Sequence, residues 1–385
     1  MTDYFCQACS QSRPIEVNRY CCDCGQPFSL LPTASLLSPS KIAQRPPTLW
    51  RYREALPISD PESVVTFDEG MTPLIHTKSD YCDHRLKLDF IFPTGSYKDR
   101  GASVLLSKVR ELGITRVVED SSGNAGAAVA AYSAKAGVDC TIYCPEKTSV
   151  GKLTQISLYG ADLQLIPGNR AQTTLAVLAA TATTFYASHN WNPFFLAGVQ
   201  TVAFEIAEQL GWTAPDAIIC PVGFGSIYLG LHLGFRQLQQ QGLIEKLPRL
   251  LGVQSEACCP IFQADVDNQT EIEPMKASRE TLAEGIISER PVRDRMILTA
   301  IRETKGAFTT VSEAEIKTGL ETLAREGIYV EPTSAVVVKA LDHFVANGVV
   351  DKDQLVISIL TGSGLKATEK LTQLFEAGQT GCLDD

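Results

Sequence analysis

The chain has 385 residues, of which 44% are hydrophobic and 20% are charged, proportions that are typical of a globular protein with a sizeable core. Its 34 basic and 44 acidic residues give a formal net charge of −10, which argues against a nucleic-acid-binding surface or a basic membrane-surface patch. No apolar stretch reaches the about 20 residues of a membrane span, and the first residues lack the pattern of a secretory signal, so we expect a cytoplasmic protein.

Five cysteines lie within the first 24 residues, and four of them form two C-x2-C pairs, Cys6 with Cys9 and Cys21 with Cys24. This spacing is typical of four thiolates arranged tetrahedrally around one Zn²⁺. Cys22 could compete with Cys21, but it has no counterpart in the first pair. Few apolar residues surround these cysteines, so a metal would supply the missing folding energy. We therefore predict a structural zinc ribbon over residues 1–33; the alternative is a group of free thiols.

Residues 34–56 are rich in serine and proline and are predicted to form a linker. Beyond it, strand-like and helix-like segments alternate through residues 57–385, with a smaller subdomain at roughly 96–200. Such alternation predicts an α/β fold with mostly parallel sheets. The predicted strands are 116–120, 140–144, 162–166, 217–220, 250–253 and 355–360. The predicted helices among them are 124–136, 151–159 and 170–182.

Two loops in the first half of this region carry residues suited to chemistry. Lys98 lies in residues 92–101 (FPTGSYKDRG), where partial desolvation can lower its pKa toward that of a Schiff-base lysine. Residues 121–126 (SSGNAG) follow a predicted strand and precede a helix, so their N–H groups and the helix dipole favour a carboxylate. Each pattern alone is equally compatible with a solvated lysine or an ordinary helix cap.

Two glycine-rich loops follow later buried strands. Residues 222–226 (VGFGS) allow close approach of the backbone to a phosphate, although neither a P-loop nor a dinucleotide fingerprint is complete. In residues 360–366 (LTGSGLK), the hydroxyl of Thr361 could face a heteroaromatic nitrogen without donating charge. The loops leave the carboxyl ends of predicted strands, where ligands bind in such folds.

Together and in this order, the four loops resemble the threonine synthase branch of the fold-type II enzymes that use pyridoxal phosphate (PLP), over nearly the whole chain. Residues 93–101 differ from the family pattern around the cofactor lysine only at Tyr97. The runs EGMTPL (69–74), LAEGI (282–286) and VEPTSA (330–335) also match, and many members carry a zinc ribbon. The resemblance implies two parallel-sheet, three-layer subdomains and a homodimer.

The same resemblance implies a role for each loop. Lys98 would hold PLP as a Schiff base, Asn124 would hydrogen-bond the phenolic oxygen of PLP, and Thr361 would face its pyridine nitrogen. A hydroxyl at that nitrogen should favour elimination over transamination. The PLP phosphate would bind Gly223, Phe224, Gly225 and Ser226, and the small amino-acid substrate would bind Ser121, Ser122, Gly123, Ala125 and His189.

The family reaction converts O-phospho-L-homoserine and water to L-threonine and phosphate. Three residues that bind the leaving phosphate in the family differ here: Phe195 replaces an arginine, Phe224 an asparagine and Ala125 a threonine. A dianion requires charge-assisted donors, which these side chains lack, although His189, Arg100 or Lys152 could supply compensating charge.

Two alternatives to threonine synthesis follow. One is a lyase of the same family acting on another amino acid, as a serine/threonine dehydratase or a β-replacing synthase on a serine derivative. The other is a non-catalytic PLP-binding or regulatory homologue that uses its zinc ribbon to hold a partner. The joint presence of Lys98, Asn124 and Thr361 favours an enzyme.

Overall fold

The structure is a computed structural model that describes residues 3–31, 35–148, 150–168 and 170–376. Two sheets flanked by helices form the body of the chain, and a small third sheet lies at the N-terminal end. The predicted α/β class is confirmed. Parts of the predicted ribbon (1–2 and 32–33) and the first linker residue (34) lie outside the described ranges. Within those ranges, every helix is too short or too polar to span a membrane.

The larger sheet has six strands in the order β12-β11-β10-β13-β5-β4. All neighbouring strands are parallel except β4 and β5, which pair antiparallel at one edge. The predicted strands 217–220, 250–253 and 355–360 are three of the central ones. The six strands are β4 (Leu74–His76), β5 (Asp83–Lys87), β10 (Ala217–Pro221), β11 (Arg249–Ser255), β12 (Ala307–Val311) and β13 (Leu355–Ile359).

The smaller sheet has four parallel strands in the order β8-β7-β6-β9. Three of them match predicted strands. The fourth, β9, has two residues, too few to show the alternation by which a strand is recognised in a sequence. The strands are β6 (Arg116–Glu119), β7 (Asp139–Pro145), β8 (Asp162–Ile166) and β9 (Phe185–Tyr186).

Helices cover both main sheets and supply most of the apolar core. Those predicted at 124–136, 151–159 and 170–182 are present within two residues at each end. The helices are α1 (Pro39–Ile42), α2 (Lys98–Glu111), α3 (Asn124–Ala136), α4 (Val150–Leu158), α5 (Arg170–Ala180), α6 (Pro193–Val199), α7 (Thr201–Gln209), α8 (Ser226–Gln240), α9 (Pro260–Val266), α10 (Asp294–Thr304), α11 (Glu313–Arg325), α12 (Pro332–Ala346) and α13 (Thr368–Glu376).

The N-terminal sheet consists of three antiparallel two-residue strands, β1 (Tyr4–Phe5), β2 (Ser12–Arg13) and β3 (Ser29–Leu30), with β1 in the middle. It packs on the body of the protein through aromatic rings: Tyr4 stacks on Phe28 at 4.6 Å and lies 5.9 Å from Phe194. The N-terminal segment therefore buries its apolar side chains against the rest of the chain.

The segment predicted as a linker contains α1 and a 3₁₀ helix over Leu49–Ala55. Several of its apolar side chains are buried, among them Ile42, Leu49 and Tyr52. These apolar side chains lie between the serines and prolines. Their burial favours packing of the segment on the body of the protein over a free path across its surface. The division of the chain into domains remains a prediction.

Candidate active site and cysteine cluster

Lys98 is the first residue of α2, and its amine lies beside the glycine-rich loop that precedes α8. Lys98 Nζ donates a hydrogen bond to Ser226 Oγ at 3.0 Å, and the Tyr97 hydroxyl lies 2.8 Å from the same oxygen. Tyr97, the one departure from the family pattern around the lysine, thus adds a polar contact to this loop.

The glycine-rich loop joins β10 to α8, a 15-residue helix. Gly225 caps this helix with φ of +88°, a left-handed conformation that glycine adopts without strain. The first N–H groups of a helix have no partner within it, and together with the helix dipole they attract an anion. The lysine and the first residue of this helix, 128 positions apart in the chain, therefore meet at Ser226.

The Thr361 loop is joined to the lysine loop and to the start of α12. The Tyr97 N–H donates to the Thr361 carbonyl oxygen at 3.0 Å. Ser334 Oγ accepts the N–H groups of Thr361 (3.0 Å) and Gly362 (2.8 Å) and lies 3.1 Å from Thr361 Oγ1. Ser334 was not predicted as a site residue; its only signal was its place in the VEPTSA run.

Asn124 lies at the start of α3, and its amide contacts a carboxylate that the sequence did not single out. Asn124 Nδ2 donates to both Glu331 oxygens, at 3.0 and 3.2 Å. A Cβ atom at Gly362 would overlap the same carboxylate. Glu331 therefore lies between the two loops predicted to contact the cofactor ring.

The predicted carboxylate-binding loop joins β6 to α3. Its geometry is that of a helix cap: Gly123 is the cap residue of α3, and its N–H donates to Ser121 Oγ at 3.3 Å. Ser121 and Ala125 are buried, whereas Ser122 is half-buried and Gly123 is exposed. The loop leaves the carboxyl end of its strand, as do the glycine-rich and Thr361 loops, in the arrangement that places ligands in open α/β folds.

Three rings meet beside Lys98, two of them from residues 189–195 and one from the glycine-rich loop, and we call Phe195, Phe224 and His189 the aromatic wall. The His189 ring lies 6.1 Å from Phe195 and 6.2 Å from Phe224, with an edge-on geometry in both cases. Lys98 Nζ is 5.9 Å from the Phe195 ring centre. Phe195 is fully buried against α2, where a Cβ atom at Gly101 would overlap its ring.

Behind the aromatic wall, His189 forms a pair with Glu119, the last residue of β6. His189 Nδ1 and Glu119 Oε1 are 2.6 Å apart, and the two side chains are 8% and 0% exposed. Burial raises the pKa of Glu119 well above its usual value, and neighbouring Asp120 adds to the rise. Burial, with the charge of Lys98, lowers the pKa of His189. Sequence reasoning missed Glu119, which looked like an ordinary strand residue.

Arg100 is bonded to buried carboxylates and does not supply the charge of the arginine that Phe195 replaces. Its guanidinium donates to both Asp89 oxygens at 2.6 and 2.9 Å and to Glu205 Oε2 at 2.8 Å. Lys87 Nζ donates to the other Glu205 oxygen at 2.6 Å, and all four side chains are fully buried. Two positive and two negative charges therefore neutralise each other beneath the lysine loop.

The cysteine cluster differs from its prediction in one member. The sulfurs of Cys6, Cys9, Cys22 and Cys24 all lie within 4.8 Å of one another, with 3.5 Å between Cys6 and Cys24 and between Cys9 and Cys22. Cys22, and not Cys21, completes the group.

The backbone explains this correction. Cys21 forms a β-bridge with Pro27, and adjacent residues of an extended segment face opposite sides. Cys22 is therefore turned inward, 2% exposed, while Cys21 stays half-buried outside the group.

Comparison with known proteins agrees with this geometry. Residues 65–362 match the family model described as pyridoxal-phosphate dependent enzyme. The chain is 34% identical to the threonine synthase of Methanocaldococcus jannaschii over 94% of this chain and 92% of that one. It is 36% identical to the threonine synthase of Methanosarcina acetivorans, over 87% and 84%.

Solved structures share the fold. The processed form of threonine deaminase isoform 2 from Solanum lycopersicum superposes with a TM-score of 0.69 at 19% identity, over 89% of this chain and 98% of that one. With relatives more than 30% identical over most of their length and a family model covering most of the chain, this protein belongs to the PLP-dependent enzymes and is a lyase of the threonine synthase family.

Proposed function

We propose that this enzyme eliminates or replaces an uncharged substituent at Cβ or Cγ of a small amino acid, as a serine/threonine dehydratase or a β-replacing synthase does. The observation that carries the proposal is the aromatic wall beside Lys98. A phosphate leaving group requires charge-assisted donors, and a buried dianion without them is costly. Two phenylalanines and a histidine held by a buried acid suit a neutral group better.

The residues around Lys98 fit PLP. Its phosphate would bind the Gly223, Phe224, Gly225 and Ser226 loop, where the helix end attracts an anion and Lys98 already reaches Ser226. Thr361 would face the pyridine nitrogen, and Asn124 the phenolic oxygen. When bound, PLP supplies the electron sink for bond cleavage at Cα and Cβ.

The remaining residues would bind the substrate and move its protons. The helix-capping loop with Ser121, Ser122 and Gly123 would hold the α-carboxylate, with Ala125 in the first turn behind it. Lys98, released by the incoming amino group, would take the proton from Cα. The aromatic wall would exclude water from the departing substituent and leave His189 as the polar group facing it.

The test is product formation by purified, PLP-loaded protein. We expect 2-oxo acid from L-serine or L-threonine, and no phosphate from O-phospho-L-homoserine above the level of Lys98→Ala. Sustained phosphate release that depends on Lys98 would overturn the proposal. It would show that residues outside the aromatic wall bind the leaving phosphate.

Threonine synthesis from O-phospho-L-homoserine is the second candidate. It is favoured by the relatives named threonine synthase, which the chain matches over most of its length at 33–36% identity. The phosphate assay separates the two candidates directly, because only this reaction releases phosphate.

We further propose that the cysteine cluster binds one structural zinc ion in an N-terminal ribbon. A tetrahedral zinc site with bonds of about 2.3 Å separates its sulfurs by about 3.8 Å, close to the 3.5 Å seen here. Four protein ligands leave no open position, so the ion would have a structural role. Its binding energy would stabilise three strands of two residues each.

Serine substitutions distinguish the two adjacent cysteines. We expect Cys22→Ser to lower zinc content from about one ion per chain to below about 0.2, because a thiolate ligand is lost. The matched control Cys21→Ser should keep its zinc. Metal analysis of the purified proteins measures this, and the opposite result would restore the ligand set predicted from spacing.

We also propose that the protein acts in the cytoplasm as a homodimer. The cysteines among the described residues are free thiols, as suits a reducing compartment. The dimer is proposed by analogy with the fold-type II enzymes that the chain resembles.

A further inference from the structure

Glu119 and His189 form a buried acid–base pair to which the proposed function assigns no proton transfer. The His189 ring packs edge-on against both phenylalanines of the aromatic wall, and Lys98 Nζ lies 5.9 Å from the centre of the Phe195 ring. Among the described residues, His189 Nε2 has no hydrogen-bond partner, and neither has the second oxygen of Glu119. Within the part of the chain that the structure describes, the imidazole is therefore hydrogen-bonded through Nδ1 to Glu119 at 2.6 Å and through no other atom, which leaves Nε2 available to a substrate.

The number of protons on the pair decides whether Nε2 carries a hydrogen or only a lone pair. With one proton, located between Glu119 and Nδ1, the pair has a charge of −1 and Nε2 carries only a lone pair. With two protons, the pair is neutral and Nε2 carries a hydrogen. A net charge held in a fully buried place is costly, and more so when one carboxylate oxygen has no hydrogen-bond partner in the described ranges.

Burial first, and the charge of Asp120 second, favour the state with two protons, while the positive charges of Arg170 and Lys98 act in the opposite direction. Asp120, the next residue, is a second buried carboxylate, hydrogen-bonded by Tyr186 at 2.7 Å and by Arg170 at 3.0 Å. An ionised Glu119 would face this charge, and the cation that acts on it, Arg170, is already bonded to Asp120. The raised pKa of Glu119 and the lowered pKa of His189, both caused mainly by burial, agree with a protonated carboxyl and a neutral imidazole. The Glu119 hydroxyl then donates to Nδ1, and Nε2–H points away from Glu119.

We propose that the Glu119–His189 pair is the general acid that protonates the leaving group of the substrate. The inference rests on the proposed function, because it requires an uncharged substituent that must gain a proton to leave. As the bond from carbon to the substituent oxygen breaks, its electron pair stays on the oxygen. The Nε2 proton moves to that oxygen, and the Glu119 proton moves to Nδ1.

The step is balanced within the pair. It begins neutral with two protons and ends with one proton and a charge of −1, with the imidazole neutral throughout. The leaving group departs as water or an alcohol, and the pair regains its proton from solvent before the next turnover. A phosphate, already a stable anion, needs no such proton, which accords with the loss of the family's phosphate-binding residues.

Two substrates separate acid catalysis from structural support. Elimination from L-serine expels hydroxide unless a proton is delivered, whereas elimination from β-chloro-L-alanine expels chloride, which needs none. Both reactions yield pyruvate, so one assay measures both. We expect Glu119→Gln and His189→Gln to lower kcat on L-serine by about 10²–10⁴-fold. On β-chloro-L-alanine the same variants should lose less than about tenfold.

Both substitutions approximately preserve the shape of the side chain that is replaced. Glutamine at 119 has the volume of the protonated acid and can donate to Nδ1, but it has no proton to pass on. Glutamine at 189 keeps a donor and loses the acid. Retained visible absorbance of bound PLP verifies folding; if one variant loses it, the other carries the comparison.

The possible results separate the acid role of the Glu119–His189 pair from the proposed function. An equal fall on both substrates, or an unchanged rate on L-serine for Glu119→Gln, would overturn the acid role and leave the proposed function standing. Failure of the wild-type enzyme to form pyruvate from either substrate would overturn the elimination reaction of the proposed function, and the acid role with it.

Discussion

Replacing Lys98 by alanine should remove both the visible absorbance of bound PLP and enzymatic turnover. Lys98 is the amine that reaches the glycine-rich loop, 3.0 Å from Ser226 Oγ, with the Tyr97 ring 4.6 Å away. Without this amine, PLP would lose its covalent attachment, and the substrate would lose the base at Cα. Loss of a proton-transfer group alone costs about 10²–10⁴-fold in rate, so we expect kcat to fall at least 1000-fold.

Two further measurements make this prediction specific. Borohydride reduction followed by peptide mass spectrometry should place the PLP label on Lys98 in the wild type. Lys98→Arg, which keeps the charge, should be as inactive as Lys98→Ala. The control Lys135→Ala, an exposed position near the end of α3, should keep full absorbance. A label on another lysine would show that the cofactor is held elsewhere.

Replacing Arg100 by alanine should lower the free energy of unfolding by about 3–5 kcal/mol, the usual cost of leaving a buried charge unpaired. Arg100 is fully buried and bonds both Asp89 and Glu205. Burial by itself would raise the pKa of Glu205, but the charges of Arg100 and Lys87 outweigh it and hold this pKa well below its usual range. Removing Arg100 leaves two buried carboxylates with one cation.

Urea unfolding of the wild type and variant, followed by far-ultraviolet circular dichroism, measures this effect. Arg110→Ala, an exposed change on the same helix, is the matched control and should stay within about 0.5 kcal/mol of the wild type. A carboxylate with a depressed pKa stabilises the fold above its unfolded pKa and loses that effect in acid. The difference in the free energy of unfolding between the wild type and Arg100→Ala should therefore become smaller as the pH falls below the unfolded pKa of Glu205. A loss no larger than that of Arg110→Ala would mean that the network adds little to stability.

The fold class and the loops that carry chemistry could be predicted because both are written in local patterns. Strand–helix alternation requires only the periodicity of apolar residues, and it identified three strands of each of the two main sheets. The lysine, serine, glycine-rich and threonine loops were recognised because each directly follows or precedes such an element. The replacement of an arginine by Phe195 was likewise visible in the sequence.

Other features depend on contacts between residues far apart in the chain, which no local pattern specifies. Glu119 meets His189 across 70 positions, and Asn124 meets Glu331 across 207. Their roles could not be predicted because either carboxylate, considered alone, looks like an ordinary surface or strand-end residue. Only packing shows that Glu119 is fully buried and that Glu331, which is half-buried, bonds the amide of Asn124.

The cysteines show the same division within one motif. The sequence by itself determined that four thiols near the N-terminus are spaced for a metal, because pairs two or three residues apart bring sulfurs together. Spacing alone favoured Cys21, and this prediction was wrong, because the spacing of Cys22 and Cys24 is also compatible with such a group. The tertiary structure decided for Cys22, because the backbone bridge at Cys21 turns adjacent side chains to opposite faces.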